Sequence, residues 1–142
     1  MTSHRTLGQT DRVFISGASD VAWARRAVQD LAAREGLGPA RAAALATAVS
    51  EIARNIVVHA GRGQVAFSAV TDGMRRGIVV VARDDGPGIP DIARAIEDGY
   101  STKGSLGLGL SGAKRLVDEF AIESAPGAGV TVTLTQWEDE VL

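Results

Sequence analysis

The stretch from Asp84 to Gly112 constrains the fold more than any other part of the chain. It holds Gly86, Gly88, Gly99, Gly104, Gly107, Gly109 and Gly112, seven glycines within 27 residues. It follows directly on Ile78-Val79-Val80-Val81-Ala82, an apolar, largely β-branched run that predicts a central strand buried on both faces. Residues 84–106 then show neither helical nor strand periodicity. Connections longer than about 12–15 residues in a compact domain are usually functional or disordered. Feature clusters stand at both ends of this one, so it reads as a functional loop. Glycine makes up 17 of the 142 residues, well above the usual share of about 7%, and this loop accounts for much of the excess.

The flanking segments place the loop in a fold. Val13-Phe14-Ile15 predicts a short strand, and Ser19-Asp20 an N-cap for a helix running to about Glu35, with Val21, Ala24, Val28, Leu31 and Ala32 as its apolar stripe. Pro39 suits the first turn of a second helix, from about 39 to 60, that buries Leu45, Ala48, Val49, Ile52 and Ile56. Gln64 to Val70 alternates as a strand. Gly61, Gly63, Gly73, Gly77, Gly127 and Gly129 mark turns. Leu108 to Phe120 predicts a third helix, Ile122 starts another strand, and Val130, Val132 and Leu134 alternate against Thr131, Thr133 and Thr135 in the last. The order β-α-α-β-β-loop-α-β-β is no repeated βαβ. It predicts an α+β fold, with helices packed on one face of a mixed or mostly antiparallel sheet.

Composition removes several classes of function. One domain is expected at this length. Without cysteine, disulfides, thiolate metal sites and thiol nucleophiles are absent, and His4 and His59 are the only histidines. A net charge of −2, from 15 basic and 17 acidic residues, offers no cationic surplus for a phosphate backbone, so nucleic acid is not expected as a partner. The N-terminus lacks an apolar signal core and no apolar run approaches membrane-spanning length, which reads as a soluble, cytoplasmic chain without a membrane partner. Residues 1–10 read as a flexible N-terminus, 11–137 as the folded domain and 138–142 as an acidic tail.

Three constellations carry chemistry. Asp84-Asp85-Gly86-Pro87-Gly88-Ile89 sets a carboxylate at the end of the buried strand, able to accept from a ligand N–H, with glycines that permit close approach. The same residues also make an ordinary β-turn. Gly104 to Gly112 opens the third helix, where free backbone N–H groups favour a phosphate, although the glycines would equally serve close helix packing. Gly107, Gly109 and Gly112 match a dinucleotide fingerprint, but residues 99–106 supply no strand before it. Gly99-x4-Gly104 has Ser105 where a P-loop needs lysine, so that reading fails too. Glu51, Asn55 and His59 recur at i, i+4 and i+8 on one side of the second helix. Glutamate can act as a general base and asparagine can offer oxygen to Mg²⁺, while a solvated helix face would look the same. Arg54 is turned about 60° from Glu51 around the helix and takes no assigned role.

Together, Glu51-x3-Asn55, Asp84-x-Gly86-x-Gly88 and Gly104…Gly107-Leu108-Gly109-Leu110 resemble the N, G1 and G2 boxes of the GHKL ATPase superfamily, in the same order and across most of residues 11–137. Within it, Thr47–Asn55 and Gly107–Phe120 are most similar to the stand-alone serine kinases of bacterial partner-switching systems, above all the stressosome switch kinases of the RsbT type. The resemblance implies the Bergerat fold, a two-layer α/β sandwich with a glycine-rich ATP lid over residues 90–106, and ATP with Mg²⁺ as ligands. It implies Glu51 as general base, Asn55 as Mg²⁺ ligand, and Asp84 as acceptor for the adenine amino group, with Gly86 and Gly88 making room for the ring. Ile89, Thr102, Lys103, Gly104, Gly107, Leu108 and Gly109 complete the nucleotide set, the last three and Lys103 lining the triphosphate.

The implied activity is phosphorylation of a STAS-domain antagonist that also sequesters the kinase, with a phosphatase or a sigma factor as a further downstream partner. Two alternatives stand beside it: an anti-sigma factor that phosphorylates its own antagonist, and an ATP-binding module without transfer.

Overall fold

The computed structural model describes residues 4–88, 106–124 and 127–138, with the side chains of 106–109 excepted. The elements are β1 (Arg5–Ile15), α1 (Ala18–Arg34), α2 (Pro39–His59), β2 (Gly63–Thr71), β3 (Arg76–Asp84), α3 (Leu106–Leu116), β4 (Glu119–Ser124) and β5 (Val130–Trp137). This is the expected element order. The strands form one sheet in the order β1-β2-β3-β5-β4, and every neighbouring pair is antiparallel. Among the described residues, no helix is long and apolar enough to cross a membrane.

One face of the sheet carries the core. Val13, Val65, Ala82 and Val132 stand opposite one another across four strands, as do Phe67, Val80 and Leu134 across three. These residues join the buried residues of the three described helices in a single cluster. The central strand β3 departs from its expected burial on both faces. Ile78, Val80 and Ala82 are buried, but Val79 and Val81 are only half-buried, because the described helices cover the other face only.

α1 and α2 end where the sequence signals stops, with one change at the start of α1. The cap position is Gly17, without a side-chain cap, and Asp20 works from inside the first turn, its Oδ2 accepting from Ser16 N–H at 2.9 Å. Gly36 closes α1 at φ +89, and Leu37 N–H reaches back to Ala32 O at 3.0 Å, a glycine C-cap with a buried apolar residue after it. Pro39 opens α2, and the left-handed Gly61 follows it.

Three other boundaries differ from expectation. The first strand begins at Arg5, so within the stretch read as flexible Arg5, Thr6 and Leu7 pair with Thr71, Val70 and Ala69 of β2, and the register shifts before pairing resumes at Asp11. An edge strand keeps most of its side chains in water, so its sequence looks polar while backbone hydrogen bonds order it. Gly63 and Gly77 lie inside strands rather than in turns. A Cβ on Gly77 would stand 2.7 Å from Gln136 O and from the Trp137 ring, and one on Gly63 would meet Arg83 O and the Ile56 side chain.

The third difference is α3, which stops at Leu116 instead of Phe120. Gln136, 3% exposed, donates from Nε2 to Leu116 O at 3.3 Å and to Arg41 O at 3.2 Å, and accepts from Asp118 N–H at 2.9 Å. Asp118 in turn takes Arg41 Nη1 and the Trp137 N–H, both at 2.8 Å. One buried amide therefore ends α3 and ties it to α2 and β5. We expect Gln136→Leu to cost about 2–4 kcal/mol in urea unfolding, since it orphans several buried backbone groups at once. A loss below about 0.5 kcal/mol would show that water replaces these bonds.

Candidate nucleotide site

Four segments converge on a cleft enclosing about 570 Å³ of atom-free space, open solvent at its mouth included. α2 supplies Ile52, Asn55, Ile56 and His59; β3 supplies Ala82 and Asp84; Pro87 and Gly88 follow; α3 adds Leu110, and β5 adds Val130 and Val132. The walls are mostly aliphatic and the polar groups few, the pattern of a small-molecule site.

Asp84 ends β3 with a residue exposure of 9%. Its Oδ1 accepts from Gly86 N–H at 2.8 Å, which folds the loop tightly behind it. Gly86 has no room for a side chain, since a Cβ would stand 2.7 Å from the Ala60 Cβ. Gly88 is left-handed at φ +83. Gly129, also left-handed, lies so close that a Cβ would collide with Asp84 O. Gly127 N–H donates to Pro87 O at 2.8 Å, joining the β4–β5 turn to this loop.

Two buried side-chain atoms of cleft-lining residues, Asn55 Nδ2 and His59 Nε2, have no hydrogen-bond partner among the described residues. Buried polar groups are normally paired, so two orphans facing one cleft suit a polar ligand. An adenine nucleotide with its magnesium fits this donor set. An amide such as that of Asn55 can donate N–H to a phosphate oxygen and lend a carbonyl to a cation, and Asp84 keeps acceptor capacity for an exocyclic amine.

The chain matches the model of the histidine kinase-like ATPase domain over residues 16–136. It belongs to that family. The chain is 44% identical to serine/threonine-protein kinase RsbT of Bacillus subtilis over 118 residues, which is 83% of this chain and 89% of that one. It is also 30% identical to an anti-sigma F factor of a Thermoanaerobacter species over 130 residues, 87% of this chain and 90% of the relative. An anti-sigma F factor of Bacillus licheniformis is 32% identical over 97 residues, 63% of this chain and 65% of the relative.

In this family member the sequence motifs meet in part. Asn55, Asp84 and Gly88 line one cleft, and Gly86 lies against Ala60 beside it. Gly107, Leu108 and Gly109 fall in the first turn of α3, whose initial N–H groups lack helical partners. Ile89, Thr102, Lys103, Gly104 and residues 90–105 of the expected lid lie outside the described residues. Glu51 is absent from the cleft lining. It stands one turn before Asn55, half-buried, and Arg54 Nη1 donates to its Oε1 at 3.2 Å. Arg54 was expected to face away. At i and i+3 its long side chain spans the offset.

Sequence reasoning assigned no role to His59, Leu110, Gly129 or Ala60. For His59 the i+8 spacing from Glu51 was the available signal. For Gly129 there was none, because its contact joins residues 45 positions apart in the chain.

Burial lowers the pKa of His59 from its usual value, with the Asp84 charge partly opposing. The folded protein therefore resists protonation at a pH where the unfolded chain accepts it. This contribution to stability is complete above the unfolded pKa of about 6.5 and is lost as pH falls below it. Urea unfolding at about pH 7.5 and about pH 5.5 should show a smaller acid loss for His59→Gln than for the parent. Equal losses would refute the assignment.

Proposed function

We propose that this chain is an ATP- and magnesium-dependent serine/threonine-protein kinase of a bacterial partner-switching system. Its acceptor would be a hydroxyl of a STAS-domain, anti-anti-sigma type antagonist, and it would work in the cytoplasm, in a stress response of the stressosome kind. The observation that carries the reading is Asn55, lining one cleft with Asp84, its buried Nδ2 without a partner among the described residues, and with a solvent-accessible carboxylate, Glu51, one helical turn away. The likeness to a serine/threonine-protein kinase over 83% of the chain supports the choice of acceptor.

In this reading Asp84 accepts from the adenine amine, while Gly86 and Gly88 keep side chains out of the ring's way. Gly107, Leu108 and Gly109 offer backbone N–H groups to the phosphates, and Lys103 adds a positive charge. Asn55 Oδ1 is the magnesium ligand the chain provides, and bound magnesium would neutralise phosphate charge. Glu51 takes the proton from the acceptor hydroxyl as its oxygen bonds to the γ-phosphorus and the bond to the ADP oxygen breaks. A base outside the apolar cleft suits this task, because the hydroxyl arrives on another protein. Phosphoryl transfer asks mainly for such positioning and charge neutralisation.

The test is incubation with Mg-ATP and the cognate anti-anti-sigma protein, read by intact mass. The acceptor should gain one phosphoryl group. Asp84→Asn should weaken ATP binding by at least about tenfold, since it turns an acceptor oxygen into a donor against the amine. Glu51→Ala should keep ATP affinity within about twofold and slow transfer by about 100-fold or more. Undiminished transfer in that variant would remove the base assignment. The likeness to anti-sigma F factors supports a second reading, in which the chain also binds a sigma factor. Co-purification with a sigma subunit would favour it.

A further inference from the structure

A second depression lies behind the wall of the nucleotide cleft. It encloses about 1430 Å³ of atom-free space, open solvent included, against about 570 Å³ for the cleft. Ala60 and Asp85 belong to its lining, and the same Ala60 lies where a side chain on Gly86 would have to go. The consecutive residues Asp84 and Asp85 thus serve different hollows, Asp84 the cleft and Asp85 the basin.

The basin is unlike a nucleotide pocket. Phe14 stands at its edge with 74% of its surface exposed, between Val13 and Ile15, which are both buried. In the sheet register Phe14 faces Gln64, and Gln64 faces Arg83, so the aromatic ring and a cation share one cross-strand row. Arg62 completes the cationic side. Arg41, Arg54, Arg75 and Arg76 each meet a carboxylate, whereas Arg62 and Arg83 meet none among the described residues. With Asp85 as the only acid among the described lining residues, that lining is net positive in a chain of net charge −2.

We propose that this basin is a docking surface for a protein partner, and that it takes an acidic segment bearing one apolar anchor. Exposed aromatic and arginine side chains are the types that dominate binding energy at protein interfaces. Two unpaired guanidinium groups match two carboxylates of a partner, and Phe14 seats the anchor. A nucleic-acid backbone fits poorly, because two cations are few and Asp85 repels phosphate. Nothing in the nucleotide reading requires Phe14, Arg62 or Arg83, so the two sites can fail independently.

The experiment titrates two peptide series of about ten residues into the isotope-labelled full chain, followed by backbone amide shifts. One series carries Asp and Glu around a Leu or Phe, and the other carries Lys in their place. The acidic series should shift amides of residues 14–16, 60–64 and 83–85, and bind more weakly as salt rises from about 50 to about 300 mM. Phe14→Ala and the double variant Arg62→Glu with Arg83→Glu should each weaken it by about tenfold or more. Arg62→Gln with Arg83→Gln serves if the charge reversal disturbs folding. Mg-ATP affinity, measured on the same samples, should stay within about twofold. Equal binding of the lysine series, shifts confined to other surfaces, no response to the acidic series, or affinities indifferent to all variants would each overturn the proposal. Loss of Mg-ATP binding by the parent with the peptide response intact would overturn the kinase reading instead.

Discussion

The structure depends on α2 being buried along most of its length. Nine of its residues are buried, five of them Ala42, Ala46, Ala48, Ala53 and Ser50, which are small enough for close approach. α1 packs against it, α3 packs against it, and its large residues Leu45, Ile52 and Ile56 join the core cluster shared with the sheet. A helix held from several sides has little freedom to rotate. That rigidity is what lets Glu51, Asn55 and His59 keep fixed directions relative to Asp84, as a positioned site requires.

The second constraint is steric crowding of backbone around Asp84. Gly63, Gly86 and Gly129 come from three segments, and a side chain on any of them would collide with a neighbour. The glycines do more here than turn the chain. They let β2, the loop after β3 and the start of β5 close around one carboxylate. The opposite end of the sheet is closed by polar contacts: Gln136 and Asp118 join α2, α3 and β5, and Trp137 Nε1 donates to Glu119 at 2.6 Å. α3 is therefore anchored at its C-terminus, while Leu110, nearer its start, lines the cleft.

Much of this was legible in the sequence. The apolar stripes of α1 and α2 have clear helical periods, and Gly36, Pro39 and Gly61 act locally, so those boundaries were readable. The family motifs are local too, and Asn55 and Asp84, which the resemblance set at one site, line the same cleft. Boundaries set by distant partners were not readable. β1 extends to Arg5 because β2 is there to pair with it. α3 ends at Leu116 because Gln136, twenty residues on, caps it. Arg54 finds Glu51 through the reach of its side chain, which helical angle alone does not capture.

By itself, the sequence determined the element order and the helical stripes and singled out Asn55 and Asp84, two of the polar groups that line the cleft, since these depend on local period, turn chemistry and the family motifs. Only the tertiary structure decided which groups are left without partners. Whether Asn55 and His59 are orphaned, whether Glu51 stands inside the cleft or beside it, and whether Phe14 is bare depend on what other segments cover. Burial and pairing are properties of packed surfaces contributed by residues far apart in the chain, and no local pattern records them.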